Sequence, residues 1–415
     1  MTVGKTVLDN GVTIVSERVP HLRSATAGIW VSAGSRVESP RDNGIGHFIE
    51  HMLFKGTSRR RALDISREIE SVGGTMNACT EREYVFFFAK VLDRDFPLVV
   101  DLLADIYLNS LFDGEELERE KGVVLQEILM VEDNPEELLH DFFHESYWGG
   151  HPLGLPVQGT CGSVASFTRE RVMDYFRDRF RRRGVVISVV GNLPHARIAE
   201  AFEKALAGLS LGERQVPDAA PRPGRGTYLK KRPLEQVHLC VGAPSVSKGS
   251  ELKYVAHALN AILGGSMSSR LFQEVREKRG LAYSIFSAIS SYADSGILKI
   301  CAGTTKDKAR ELLDVTAEVL SDLRDGRIAD EEVTMARELM KGSMLLSLES
   351  AEYRMSRLAM SEMFLGRTES HDESLRRVDA VTPDQVRELA ATMLARERFS
   401  LAAVGDLPDG PGLSF

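Results

Sequence analysis

Cysteine is scarce: four among 415 residues, at Cys79, Cys161, Cys240 and Cys301, with no Cys-x-x-Cys pair. That excludes a disulfide-stapled scaffold and a cysteine zinc site as the organising principle, and it suits a reducing compartment. Long apolar runs are missing as well. No stretch approaches the roughly 18 consecutive apolar residues of a spanning helix. Met1 to Asn10 carries Lys5 but no apolar core of the kind that marks a secretory signal. The expectation is a cytoplasmic chain with no membrane partner. Nor is there an excess of basic charge: Lys and Arg number 52 against 60 Asp and Glu, for a formal net charge of -8. That is the wrong sign for electrostatic capture of nucleic acid.

What is present is a globular composition, 43% hydrophobic and 27% charged, over a length that calls for two or more domains. Between Leu206 and Pro233 the apolar periodicity lapses into Pro217, Pro221, Pro223, Gly224 and Gly226, followed by Lys230, Lys231 and Arg232. A linker at 211–232 divides the chain into segments 1–210 and 233–415. The two segments repeat one another: Phe167 to Pro194 aligns without a gap on Val381 to Pro408. Thr168 meets Thr382, Val172 meets Val386, and Val190-Gly191-Asn192-Leu193-Pro194 meets Val404-Gly405-Asp406-Leu407-Pro408. Tyr84-Val85-Phe86-Phe87-Phe88 reads as a strand, Asp113 to Trp148 as helix opened by Asp113 and broken near Pro135, and Tyr292-Ala293-Asp294-Ser295-Gly296 as a hairpin. The fold expected is α+β, with two homologous domains, each a largely antiparallel β-sheet packed with α-helices.

One short segment carries chemistry. His47-Phe48-Ile49-Glu50-His51 places two imidazoles one helical turn apart, so both project from one face and can share an ion, with Glu50 beside them. Neutral imidazoles suit Zn²⁺, which acidifies a bound water while a neighbouring carboxylate takes the proton. His-x-x-Glu-His is the inverzincin order. Phe48, Ile49, Met52, Leu53 and Phe54 make this helix unusually apolar, so its charged groups require partners. His140 and His144 repeat the spacing without a glutamate in the base position, and Glu136, Glu137 and Glu145 around them read as a charged helix face. Two histidines leave zinc short of protein ligands. Leu117, Glu120, Val124, Glu127 and Val131 form one stripe on the helix after Asp113 and offer two carboxylates, for which pairing with arginines or a place at the edge of the stripe is the simpler explanation from the pattern alone.

The motif with its continuation Met52-Leu53-Phe54-Lys55-Gly56-Thr57, together with Glu120-Lys121-Gly122-Val123-Val124-Leu125-Gln126-Glu127, resembles the pitrilysin or insulinase family of zinc metallopeptidases. The likeness is to short bacterial members similar to the catalytic subunit of the mitochondrial processing peptidase, and it spans essentially the whole chain. The resemblance implies one Zn²⁺ per chain held by His47, His51 and Glu127, with Glu50 as general base and Glu120 orienting a ligand or assisting proton transfer. Gly73-Gly74-Thr75-Met76-Asn77-Ala78 resembles the edge strand on which the family lays an extended peptide, so Asn77 and Ala78 would bind substrate. Arg276 and Tyr283 resemble the family's substrate-binding pair, with Tyr283 also stabilising the oxyanion. The second half has no His-x-x-Glu-His, and its short run Gly264-Gly265-Ser266-Met267-Ser268-Ser269-Arg270 reads as a helix end. The function implied is a zinc endopeptidase cutting extended peptides within a homodimeric chamber, or alternatively in a heterodimer with a related chain. The competing reading is a non-catalytic structural or processing-complex subunit of the same fold.

Overall fold

The computed structural model describes residues 2–181, 184–209, 211, 220–407 and 413–415. The first half runs β1 (Thr2–Val7), β2 (Thr13–Arg18), β3 (Ser24–Val31), α1 (Ile45–Leu53), α2 (Ala62–Ser71), β4 (Thr75–Thr80), β5 (Val85–Leu92), α3 (Phe96–Asn109), α4 (Gly114–Asp133), α5 (Pro135–Trp148), α6 (Cys161–Ala165), α7 (Arg169–Tyr175), β6 (Val185–Gly191) and α8 (His195–Ala205). The second runs β7 (Thr227–Lys231), β8 (Val237–Pro244), α9 (Lys253–Leu263), β9 (Ile285–Ser291), β10 (Gly296–Thr304), α10 (Ala309–Arg324), α11 (Asp330–Ser347), α12 (Ala351–Leu365), α13 (His371–Asp379), α14 (Pro383–Met393) and β11 (Ser400–Gly405).

Two sheets form, ordered β1-β2-β6-β3-β5-β4 and β7-β11-β8-β10-β9. With β1 set aside the orders correspond strand for strand, and each sheet has one parallel pair in the same place, β2 with β6 and β7 with β11. The fold is α+β with largely antiparallel sheets, and the aligned segments explain the correspondence. Thr168 caps α7 by accepting from the Arg171 amide, and Thr382 caps α14 by accepting from that of Gln385. Each helix leads to an interior strand, β6 or β11, buried along its whole length. Pro408, at the end of the aligned segment, lies outside the described residues.

The chain divides into two compact units that are not contiguous. One comprises Met1–Met130, Leu155–Asp218 and Ser347–Thr368; the other Val131–Gly154, Ala219–Leu346 and Glu369–Phe415. Relative to segments 1–210 and 233–415, each unit therefore takes a helix from the other half of the chain. In the first unit one face of the sheet packs α1, α3 and α8 through Phe48, Leu103 and Phe202. The opposite face, with Val15, Trp30 and Val186, is covered by Met355, Leu358 and Ala359 of α12. A buried ion pair, Arg354 Nη1 to Glu17 Oε1 at 2.5 Å, and a bond from Ser188 Oγ to the Met355 carbonyl hold α12 there. In the second unit Leu139, Phe143 and Tyr147 of α5 pack on Cys240, Ile297, Ala402 and Val404. A sheet apolar on both faces needs two coverings, and short-range periodicity does not say which segment supplies the second.

The segment 211–232 is not wholly a linker. Thr227-Tyr228-Leu229-Lys230-Lys231 alternates exposed and half-buried residues and joins β11 as an edge strand; its lysines mask that alternation in the sequence. Residues 212–219, with Pro217, lie outside the described residues.

Candidate metal centre

The site is built on α1. Ile45, Phe48, Ile49, Met52 and Leu53 are all fully buried, which fixes the rotation of the helix and turns His47 and His51 to the other face. The start of α1 has an unusual anchor. Its N-cap is Gly44, with φ 87° and no capping side chain. The helix amides left without an intrahelical partner are taken instead by Glu38, whose carboxylate accepts from Gly44 N and Gly46 N at 2.8 Å each and from Asn43 Nδ2 at 3.2 Å. A Cβ on Gly46 would lie 2.9 Å from Glu38 Oε1, so glycine is needed for this approach. A buried carboxylate at a helix N-terminus is favoured by the aligned peptide dipoles. Burial nonetheless dominates and pushes the Glu38 carboxyl up to about 7, against the pull of the amide donors.

The third side chain comes from α4. Asp113 opens that helix by accepting from the amides of Glu115 and Glu116, and Pro135 begins a new helix after it, as the sequence pattern indicates. The stripe Leu117, Glu120 and Val124 is buried, and Glu127 follows one turn later with its side chain 38% exposed. His47 Nε2 and His51 Nε2 are 3.3 Å apart, and Glu127 Oε2 lies 3.7 Å from the first and 3.5 Å from the second. Tetrahedral zinc with bonds of about 2.0–2.1 Å separates neighbouring ligand atoms by about 3.3–3.4 Å. The triangle therefore fits one such ion with little movement. Among the described residues this is the only set of three His, Cys, Asp or Glu donors within 4.8 Å of one another.

The electrostatics fit the same occupant. Burial, with the neighbouring His51, pushes His47 down to about 3, so it is neutral and can offer a ring-nitrogen lone pair to an ion. His51 hydrogen-bonds Glu120 Oε1 through Nδ1 at 2.8 Å, which turns Nε2 toward the triangle. Burial opposes charge on His51, but the Glu120 bond and the charges of Glu127 and Glu50 outweigh it and raise its pKa. Glu120 is itself held by Lys55 Nζ at 2.6 Å. Burial works against its ionisation, and the bonds to His51 and Lys55 overcome this and keep its carboxyl below the usual range. Glu50 accepts from Thr80 Oγ1 at 2.5 Å. Burial, helped by the charge of Glu127 and opposed by Thr80 and His51, raises its carboxyl above the ordinary range.

Thr80 ends β4, one of the two edge strands of its sheet. Asn77 and Ala78 lie on that strand, opposite Phe88 and Phe87 of β5, and Asn77 Oδ1 accepts from the Ala78 amide at 2.8 Å. Arg276 and Tyr283 belong to the other unit and meet each other. The Arg276 guanidinium lies 4.9 Å from the Tyr283 ring centroid and 4.7 Å from that of Phe272, and Tyr283 is 82% exposed, not a core residue. The second histidine pair is differently engaged: His140 Nε2 lies 2.7 Å from Lys299 Nζ and His144 Nε2 lies 3.4 Å from the Tyr292 hydroxyl. An ammonium against the imidazole is a poor start for a cation site. Gly264 ends α9, in line with the helix-end reading of the glycine run.

The family model described as Insulinase (Peptidase family M16) matches residues 13–161, and that described as Peptidase M16 inactive domain matches 166–340. An uncharacterized zinc protease of Streptomyces coelicolor is 41% identical over 98% of this chain and 90% of its own length. The chain belongs to the M16 peptidase family. Another relative in sequence, an uncharacterized zinc protease of Bacillus subtilis, is 40% identical over 96% of this chain and 98% of its own. Two solved structures share the fold. One, a peptidase M16 inactive domain from Pseudomonas fluorescens, superposes with a TM-score of 0.92 at 19% identity and full coverage of both chains. The other, a protease from Helicobacter pylori, gives 0.90 at 19% identity over 97% of this chain and 99% of that one.

Sequence reasoning missed Glu38, Lys55 and Thr80. Lys55 was accessible in principle, one turn beyond His51 on the same face. The opening Gly44-Ile45-Gly46 signals a helix without its own cap, and the acceptor that serves it, Glu38, lies just six residues before Gly44 but outside the helix pattern.

Glu38 gives a pH prediction. Its folded pKa, near 7, lies above the ordinary 4.5, so the stability it contributes is complete below about 4.5 and lost as pH rises through 7. Denaturant unfolding from pH 5 to 8 should show the wild type losing about 2.5 kcal/mol relative to Glu38→Gln. Parallel profiles for the two proteins would contradict the assignment.

Proposed function

We propose that this chain is a zinc-dependent endopeptidase that cuts extended peptides. The observation carrying the proposal is the triangle of His47 Nε2, His51 Nε2 and Glu127 Oε2, with the Glu50 carboxylate close enough to influence both His51 and Glu127. Two relatives that are named zinc proteases over nearly their whole lengths support it. A zinc ion held by the three side chains would supply Lewis acidity, polarising a carbonyl and bringing the pKa of water toward neutrality.

The chain's own groups account for the remaining roles. Glu50 takes a proton from the attacking water and returns it to the departing amine nitrogen, and its raised pKa brings it closer to working pH. Glu120 keeps the His51 imidazole in register through Nδ1. Along β4 the unpaired backbone groups of the open edge at Asn77 and Ala78 accept an extended peptide as an added strand, the peptide displacing the Asn77 side chain from the Ala78 amide, with little dependence on the peptide's side chains. Because Thr80 of that strand bonds Glu50, a peptide laid there would pass beside the base. Replacing Glu50 by Gln should leave about one zinc per chain while cutting turnover of an unstructured quenched-fluorescence peptide by about 10² to 10⁴-fold. Chelator should abolish wild-type cleavage. Turnover that persists in a zinc-loaded, uncontaminated Glu50→Gln sample would reject Glu50 as the base.

The proposal extends to assembly. Arg276 and Tyr283, stacked together and with the phenol exposed, are suited to hold a peptide carbonyl and to donate to a developing oxyanion. In a homodimer, the pair from one copy would complete the zinc centre of the other. Mixing inactive Glu50→Gln and Tyr283→Phe chains should then restore measurable cleavage. Mixed dimers without activity would count against shared sites.

A further inference from the structure

β8 and β10 are neighbours in the five-stranded sheet, and their antiparallel register sets Cys240 directly opposite Cys301. Directly opposed residues in such a pair have Cα atoms about 4.5–5.5 Å apart, within the separation a disulfide spans. Their sulfur atoms are 3.5 Å apart on the same face of the sheet. Forming a bond of about 2.05 Å from that position requires side-chain rotation and no displacement of either strand. The scarcity and spacing of cysteine in the sequence concealed this, because the two meet only through strand register.

The two thiols are unequal. Cys240 is 1% exposed beneath α5, among Phe143, Ile297 and Ala402. Burial, reinforced by its bond to Cys301, holds that thiol well above the usual range. Cys301 is partly exposed, and the bond from Cys240 followed by the nearby Lys299 ammonium draws it below the usual range despite burial. Lys299 stands two residues earlier on the same face of β10. The attacking thiolate and the resolving thiol are thereby distinguished by position as well as by charge.

We propose that Cys240 and Cys301 form a reversible disulfide site, closed by exchange with a low-molecular-weight disulfide and tying β8 to β10. The Cys301 thiolate attacks one sulfur of the small disulfide, breaking its S–S bond and releasing one small thiol. Cys240 then attacks Cys301 Sγ, breaking the mixed disulfide and releasing the second small thiol. Two protein thiols are oxidised, one small disulfide is reduced to two thiols, and the protons lost by the cysteines end on those products. The site is independent of the metal centre, and its fate says nothing about the peptidase reading.

The test exposes the native full-length protein to oxidised glutathione, quenches with acid, alkylates under denaturing conditions with N-ethylmaleimide and maps the peptides by mass spectrometry. The expected result is a Cys240–Cys301 cross-linked peptide, abolished by dithiothreitol, and loss of alkylation at both positions. In Cys240→Ser, Cys301 should retain glutathione; in Cys301→Ser, Cys240 should stay reduced. Full alkylation of both residues in the oxidised wild type would overturn the proposal, and so would bridging of either to Cys79 or Cys161. Glutathione captured by Cys240 in Cys301→Ser would overturn the order of attack. The wild-type arm decides the matter even where a variant fails to fold.

Discussion

Two imidazoles a helical turn apart can share an ion only if the helix carrying them cannot roll, and the buried face of α1 supplies that constraint. Ile45, Phe48, Ile49, Met52 and Leu53 are locked into the core of the first unit. Rotating the helix by even one residue, about 100°, would expose them and bury the histidines. Glu38 fixes the remaining freedom, translation along the axis, by binding the amides of Gly44 and Gly46. Everything at the candidate metal centre depends on this scaffold: His51 meets Glu120, Glu50 meets Thr80, and Glu127 of α4 meets both imidazoles because α1 presents one face and no other.

Charge is arranged around that scaffold in layers. Lys55 neutralises the buried Glu120, which orients His51, and so the carboxylate nearest the imidazole is already committed to a partner. Glu127 is the most open member of the triangle, at 38% side-chain exposure against 14% and 16% for His47 and His51. The two histidines are thus preorganised by the core, and the carboxylate closes the site from its solvent side. Such an order of rigidity is what a protein needs to hold an ion firmly while leaving one direction of approach.

Much of this was legible in the sequence because it is local or repeated. The His47/His51 spacing, the Asp113 cap, the break at Pro135 and the matching segments around Thr168 and Thr382 all depend on neighbours within a few residues. Only family resemblance singles out Glu127 as a ligand, since the stripe on α4 taken alone favours carboxylates that pair with arginines or lie at its edge. What remained hidden depends on contacts between distant parts of the chain. The covering of the first sheet by α12, held by Arg354 on Glu17, joins residues more than three hundred positions apart. The meeting of Cys240 with Cys301 likewise follows from strand register, and Glu38, though only six residues before Gly44, caps α1 through a turn that periodicity does not encode.

The central claim is that His47, His51 and Glu127 bind a single zinc ion in common. X-ray absorption spectroscopy at the zinc edge of the purified, zinc-loaded protein tests it most directly. The account predicts an oxygen and nitrogen shell at about 2.0–2.1 Å with the outer-shell signature of two imidazoles, and loss of one imidazole in His51→Ala. A sulfur shell near about 2.3 Å, or an unchanged spectrum in His51→Ala, would contradict it.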